Sequence, residues 1–179
     1  MTSEQLFTKR LSEAADSKGV GKIFSKGEYL IKEGQVEQSI YFIEAGAVRV
    51  FHVTEFEEQT IRFGYEGSII TSLSSFITGD PSEFYIEALR KTTVKIIHKQ
   101  LLFEIVNEST EALLQYNKLL ERLIIQQMER EIDLLTESPT KRLQRVLARS
   151  PNLFQEIPLK YIASYLRMTP ETLSRIRNS

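Results

Sequence analysis

The clearest chemical pattern in the sequence lies in residues 158–177, near its C-terminal end. Thr169, Pro170 and Glu171 are typical of a helix start, because they supply a hydroxyl cap, a proline where no amide donor is needed and a carboxylate at the positive end of the helix dipole. The apolar residues around this start are spaced to pack two short helices together: Ile162, Leu166, Met168, Leu173 and Ile176. The pattern predicts a helix-turn-helix whose second helix begins at Pro170.

The first turns of that second helix carry side chains that can contact base edges. Arginine can donate two hydrogen bonds to guanine O6 and N7, and glutamate can accept one from cytosine N4. The start of this helix enters the major groove in a helix-turn-helix, so Glu171, Ser174 and Arg175 are expected to face bases. Thr169 and Thr172 are expected to face phosphates. A helical hairpin without a nucleic-acid partner would show the same spacing, so DNA binding is a hypothesis here.

Charge is divided unevenly along the 179 residues. Residues 141–179 hold eight Lys or Arg against two Glu, a net charge of +6, whereas residues 1–140 have a net charge of −7. A basic end on an acidic body predicts contact with a polyanion at that end, although a solvated basic face is the alternative. Lys141 and Arg142 are candidates for phosphate contacts.

Other function classes find little support. The absence of cysteine excludes disulfides, thiolate zinc sites and cysteine-ligated iron-sulfur clusters. His52 and His98 lack the spacing of a β-barrel metal site, and no nucleophile–base pair or phosphate loop is evident, so we predict no catalytic residues, no metal ligands and no enzyme activity. The N-terminus lacks signal-peptide features and no apolar run reaches about 18 residues, which predicts a cytoplasmic protein without a membrane partner.

A long helix is predicted between the basic end and the rest of the chain. Ser109 is a candidate N-cap with Glu111 in the first turn, and neither Gly nor Pro follows before Pro139, which gives a helix of roughly 27 residues. This helix is too long for a protein of this size to cover alone. An intramolecular core helix is the alternative to a parallel homodimer seam, for which the predicted residues are Tyr116, Leu120, Ile124 and Met128.

Upstream of this helix the sequence predicts short strands. The apolar and β-branched runs span residues 27–31, 40–44, 47–53, 59–63, 84–88 and 93–98. Gly34, Gly46 and Gly67 lie between runs, where a turn with positive φ suits glycine. The predicted fold class is therefore α+β: an N-terminal antiparallel β-roll of jelly-roll type, a long dimerisation helix, and a C-terminal all-α helix-turn-helix domain.

Along essentially its whole length the chain resembles the Crp/Fnr family, the relatives of the cyclic-AMP receptor protein. Residues 26–35 (KGEYLIKEGQ) and 40–51 (IYFIEAGAVRVF) resemble its β-roll hairpins, and PETLSR at 170–175 resembles its recognition-helix pattern R-E-T-V-x-R. The resemblance implies a cyclic-nucleotide-binding-type roll, a parallel dimer through the long helix, and a near-palindromic DNA site. It also implies that Glu171 and Arg175 read bases and that Thr169 and Thr172 contact phosphate.

The chain departs from the family at the phosphate-binding positions. Cyclic-nucleotide binders of the family carry a Gly-Glu pair and then Arg-Ser or Arg-Thr, whereas this chain has Gly67-Ser68 and Ser82-Glu83. A cyclic phosphate needs a cation, so we predict that cyclic AMP is not the ligand, although Arg90 is nearby. The cofactor stays unknown, and an iron-sulfur cluster is excluded. The candidate pocket residues are Gly67, Ser68, Ile69, Ser82 and Glu83.

Two further departures concern the helix-turn-helix. Pro170 stands where the family often has a base-reading arginine, so the DNA sequence recognised should differ. Arg167 replaces the usual turn glycine. The chain ends four residues after Arg175, and we therefore expect a helix-turn-helix domain without the family's C-terminal wing, either because this branch lacks a wing or because the sequence is shortened.

These observations predict three parts: a sensor domain at 1–108, a dimerisation helix and hinge at 109–138, and a DNA-binding domain at 139–179. The predicted function is a homodimeric, sequence-specific transcription regulator that works independently of cyclic AMP. Its predicted partners are double-stranded DNA, a second copy of the chain, RNA polymerase and an unidentified small effector. The alternative is a ligand-sensing or scaffold dimer without specific DNA binding.

Overall fold

The computed structural model describes residues 2–178, and within this range a β-roll is followed by a helical C-terminal part. None of the helices in this range combines the length and apolar character that a membrane span requires. The elements in order are α1 (Ser3–Lys18), β1 (Val20–Phe24), β2 (Tyr29–Ile31), β3 (Ser39–Ala45), β4 (Ala47–Val53), β5 (Glu58–Tyr65), β6 (Ile69–Ile70), α2 (Leu73–Thr78), β7 (Tyr85–Ala88), β8 (Thr92–His98), α3 (Lys99–Asn107), α4 (Thr110–Leu135), α5 (Pro139–Arg149), α6 (Leu153–Glu156), α7 (Leu159–Leu166) and α8 (Pro170–Arg177).

The roll consists of two antiparallel sheets, with strand orders β1-β8-β3-β6 and β2-β7-β4-β5. Alternate residues of the strands point inward, and Ile43, Val48, Ile86 and Val94 are fully buried between the sheets. The predicted fold class is confirmed, and each predicted strand run overlaps a strand. Strands β1 and β6 both lie outside those runs.

Gly46 makes the tight turn between β3 and β4. Its φ of +100° suits glycine, and an added Cβ would lie 2.6 Å from the carbonyl oxygen of Lys91. Gly34 and Gly67 also have positive φ, as predicted. This close approach lets the turn between β3 and β4 pass next to the start of β8.

Helix α1 was not predicted from the sequence. Its buried residues Phe7, Leu11 and Ala15 are four positions apart and pack against α3, α4 and the sheet. The start is a capping box, in which the Thr2 side chain accepts from the Gln5 amide and the Gln5 side chain accepts from the Thr2 amide. The i, i+4, i+8 apolar spacing after Thr2 is the signal that could have identified this helix.

Helix α4 begins where the sequence predicted. The Ser109 side chain accepts a hydrogen bond from the Ala112 amide at 3.1 Å, and the helix runs for 26 residues. Helix α5 starts at Pro139, with the Ser138 side chain as its cap. The short helix α6 lies in a segment where the sequence predicted no helix.

The helical part after α4 is docked on the roll. Leu143, Leu153 and Ile162 form a buried core that also includes Ala47 and Leu89 of the roll. Strand β5 lies along α7, where it supplies further half-buried apolar side chains. The two parts therefore share a continuous apolar contact.

Candidate nucleic-acid interface

The turn between α7 and α8 is formed around Arg167. This residue has φ 54° and ψ 52°, and the Met168 amide donates to the Ala163 carbonyl at 3.1 Å, which closes the end of α7. Ile162 and Leu173 are fully buried between the two helices. The packing predicted from the apolar spacing is confirmed, and an arginine occupies the left-handed turn position.

The start of α8 has the predicted cap. The Thr169 side chain accepts a hydrogen bond from the Thr172 amide at 3.2 Å, and Pro170 occupies the first helical position. The hydroxyls of Thr169 and Thr172 are also 3.1 Å apart. Thr169 therefore fixes the helix start through its side chain.

The predicted contact residues lie on the first two turns of α8. Glu171 and Arg175 are exposed and one turn apart, so both side chains lie on one outward face. Thr172 and Ser174 are half-buried, and Thr169 is exposed at the helix start. The structure thus brings all five residues together, with Glu171 and Arg175 the most accessible.

The two basic candidates at the start of α5 differ from each other. Lys141 is exposed. The Arg142 guanidinium instead donates to the Thr136 carbonyl from Nε at 3.1 Å and from Nη2 at 2.8 Å, and to the Leu166 carbonyl from Nη1 at 2.6 Å. Arg142 joins the ends of α4 and α7, and its donors are used within the chain rather than for a phosphate.

Helix α7 is held against strand β5 by polar contacts that the sequence did not reveal. The Ser164 hydroxyl accepts from the Thr60 amide at 3.0 Å and donates to the Glu58 carbonyl at 3.1 Å. Nearby, the rings of Phe63 and Tyr165 are 5.2 Å apart. These contacts place α7 on the roll and leave the start of α8 facing outward.

The predicted ligand pocket is divided in the structure. Gly67, Ser68 and Ile69 line a mainly apolar cavity of about 650 Å³ between α1, α4 and the roll. Ser82 and Glu83 do not line it. The cavity size is typical of small-molecule sites, but the predicted residues do not meet in it as one group.

Ser82 is buried in an uncharged hydrogen-bond network. Its hydroxyl lies 2.7 Å from the Ser72 hydroxyl, donates to the Phe84 carbonyl at 2.8 Å and accepts from the Phe84 amide at 3.0 Å. Glu83 is exposed, and its carbonyl contacts His52 Nδ1 at 2.9 Å. Arg90 is directed away, towards the Gly46 carbonyl and Glu156.

The four predicted dimer residues differ in exposure along α4. Tyr116 and Leu120 are half-buried and turned towards the chain's own core, with the Tyr116 ring 5.5 Å from the Phe7 ring. Ile124 and Met128 are 61% and 58% exposed. They belong to an exposed apolar stripe that also contains Leu113, Leu114, Ile125, Ile132 and Leu135.

Comparisons with known proteins agree with this architecture. Residues 22–109 match the family described as "Cyclic nucleotide-binding domain". The chain is 26% identical over 167 residues to the fumarate and nitrate reduction regulatory protein of Vibrio cholerae, covering 87% of this chain and 66% of the relative. It is 25% identical over 171 residues to the transcriptional activator protein anr of Pseudomonas aeruginosa, covering 87% and 68%. The chain therefore spans about two thirds of the length of these relatives.

Solved structures show the same fold. FixK2 from Bradyrhizobium japonicum superposes with a TM-score of 0.77 at 17% identity, over 89% of this chain and 83% of that one. A CooA mutant from Carboxydothermus hydrogenoformans has a TM-score of 0.69 at 20% identity, over 89% and 75%. The fold and these relatives agree with the resemblance to the Crp/Fnr transcription regulators seen in the sequence, and residues 22–109 are similar to the cyclic nucleotide-binding domain family.

Proposed function

We propose that the protein acts as a homodimer that binds DNA sequence-specifically through α8. The observation that carries the proposal is the outward face of α8, where Glu171 and Arg175 are exposed one turn apart on a helix fixed by the Thr169 cap. The surrounding segment has a net charge of +6, which favours a polyanionic partner. An arginine and a glutamate in this position can each select a base pair.

Selection of bound duplexes from a random pool at about 100 mM salt tests this function. We expect a two-fold symmetric site, and Arg175→Ala should lose preference at one base pair in each half, by roughly 1–3 kcal/mol. Lys141→Ala is the matched control, because loss of a phosphate contact lowers affinity for all sequences alike. If no sequence is enriched, the protein is instead a sensor or scaffold dimer without specific DNA binding.

The exposed stripe on α4 is the proposed dimer seam. Ile124 and Met128 lie at its centre, and their burial by a partner helix would place two copies of α8 about one DNA turn apart, near 34 Å. Ile124→Asp should convert the dimer to a monomer in sedimentation. Ile77→Asp is the control, because Ile77 is 58% exposed on α2, away from the seam. An unchanged sedimentation coefficient for Ile124→Asp would exclude this seam.

We propose that regulation does not use cyclic AMP. The Ser72–Ser82 pair is uncharged and its hydroxyls are already bonded within the chain, so a cyclic phosphate would meet no cation there. Calorimetric titration with cyclic AMP should show no binding at micromolar concentration, and saturable heat would contradict the proposal. The apolar cavity beside Gly67, Ser68 and Ile69 is the proposed place for a different, mainly apolar effector.

A further inference from the structure

A second cavity lies where the roll, α4 and the helical domain meet. It measures about 520 Å³ and shares part of its wall with the apolar cavity, since Arg62 of β5 and Arg122 of α4 line both. Arg130 of α4 and Arg149 of α5 line this cavity and not the apolar one, which makes its wall more basic. Tyr165 of α7 completes the wall. The volume corresponds to a small molecule rather than to a single water, whose share of liquid volume is about 30 Å³.

Three of these arginines have no carboxylate partner among the described side chains. Arg149 is paired with Asp133 and Glu129, whereas Arg62, Arg122 and Arg130 form no salt bridge there. Arg62 donates to the Gln126 amide oxygen, at 2.9 Å. Glu129 also lines the cavity and the Asp133 carboxylate acts on Arg130, so these two carboxylates balance part of the positive charge of the four arginines.

Arg130 has the clearest unmet hydrogen-bonding requirement of the four arginines. Its guanidinium is 3.8 Å from the centre of the Tyr165 ring, the residue is 8% exposed, and Nη1 is buried with no hydrogen-bond acceptor among the described residues. A buried charged donor without an acceptor is costly. Burial lowers the pKa of Arg130 and of Arg62, which shows that the surroundings disfavour both positive charges.

We propose that this cavity binds a small anion with two or more negative charges, such as a phosphate ester or a polycarboxylate, through Arg62, Arg122 and Arg130. Guanidinium groups form paired, charge-assisted hydrogen bonds with both anion types. The cavity lies on the face of α4 opposite the exposed Ile124 and Met128, so dimerisation leaves it open. A bound anion would hold the roll, α4 and the helical domain together. A role for this binding in controlling DNA binding rests on the proposed function.

Calorimetric titration of the full chain with pyrophosphate, and separately with citrate, tests the site without any DNA. We expect saturable binding of at least one probe, and the stronger probe identifies phosphate-type or carboxylate-type recognition. Arg130→Gln and Arg62→Gln should each weaken it roughly tenfold or more through loss of a charge-assisted contact. Arg10→Gln is the matched control, because Arg10 lies on α1 in an exposed pair with Glu108.

Circular dichroism establishes that each variant is folded, and two independent variants keep the test valid if one is not. The proposal is wrong if neither probe binds, if Arg130→Gln and Arg62→Gln bind as the unmodified chain does, or if Arg10→Gln weakens binding equally through general charge. Because the titration contains no DNA, its result is independent of whether the duplex selection succeeds.

Discussion

The core of the roll is built from its own strands, whereas the core of the helical domain borrows residues from the roll. Ile43 and Ile86 pack only among other roll side chains. Leu153 and Ile162 of the helical domain pack in one cluster with Ala47 of the roll. The difference indicates that the roll is self-contained, while the helical domain depends on its docking for part of its buried apolar surface.

Two groups of charged side chains show a similar contrast. In the roll, the Glu37 carboxylate accepts hydrogen bonds from the nearby amides of Gln38 and Ser39, within one short segment. Where α4 meets the helical domain, Asp133 of α4 bonds Arg145 12 residues away, and Arg142 of α5 bonds the Leu166 carbonyl 24 residues away. The position of the helices after α4 therefore depends in part on charged contacts, and these can be removed one at a time.

Asp133→Asn should have the largest effect. Asp133 is fully buried at the end of α4 and accepts from Arg145 Nε at 2.8 Å and from Arg149. Its loss leaves Arg145 without a carboxylate partner and Arg149 with Glu129 alone, and we expect a cost of about 3 kcal/mol in the free energy of unfolding, measured in urea. Hydrogen exchange should rise in α5 while the roll keeps its protection.

Glu129→Gln is the control for this variant. Glu129 contacts Arg149 at 3.3 Å, but its side chain is 38% exposed, so its removal should cost less than about 1 kcal/mol. Equal loss of protection in the roll and in α5 of the Asp133→Asn protein would contradict the contrast between the two regions.

Arg142→Gln should have the next largest effect, a loss of about 2 kcal/mol in the free energy of unfolding. The guanidinium provides charge-assisted hydrogen bonds to the carbonyls of Thr136 and Leu166, and a shorter amide cannot reach both. Urea unfolding measures the change. Lys141→Gln, at the exposed neighbouring position, should stay within about 0.5 kcal/mol. An Arg142→Gln protein as stable as the control would show that this link does not hold α4 to α7.

The contrast also explains what the sequence could predict. The caps at Ser109 and Thr169 were predictable because an N-cap depends on residues within one helical turn. The role of Arg142 was not, because its acceptor at Leu166 lies 24 residues away and an exposed arginine looks the same in sequence. The sequence therefore predicts features that depend on neighbouring residues, such as N-caps, but not contacts between residues far apart along the chain.

The faces of α4 show the limit of apolar periodicity. Tyr116 and Ile124 fit one continuous stripe in the sequence, yet Tyr116 packs on Phe7 of α1, a helix that was not predicted. An unpredicted partner thus changed which part of the stripe is buried within the chain. In the same way, the pairing of Ser82 with Ser72 depends on how β6 and β7 are brought together.

Arg167→Gly should stabilise the helical domain by about 1 kcal/mol. A left-handed backbone costs a residue with a Cβ about 1–2 kcal/mol, and glycine adopts it freely. The lost contact with Glu57, 3.7 Å and exposed on both sides, contributes little. The urea midpoint should rise, and Glu57→Gln should leave it nearly unchanged. A lower midpoint would mean that Arg167 contributes more to docking than its backbone strain costs.

Glu37→Gln tests the roll and should give the smallest change. Burial raises the pKa of Glu37 above its ordinary value of 4.5, although hydrogen bonds from Ser39 and Tyr41 oppose the shift. The folded protein therefore binds this proton more tightly than the unfolded chain, and the contribution of Glu37 to stability falls as the pH rises from 4.5 through the raised pKa.

Glutamine cannot ionise, so the stability of the unmodified protein relative to Glu37→Gln should increase as the pH is lowered from about 7.5 towards 4.5. Urea unfolding at several pH values measures this difference, and the exposed Glu66→Gln provides the reference. A constant difference for Glu37→Gln would mean that the carboxylate is ionised in the folded roll at the same pH as in the unfolded chain. The roll would then tolerate a buried charge as the helical domain does, and the contrast between the two regions would rest on their apolar cores alone.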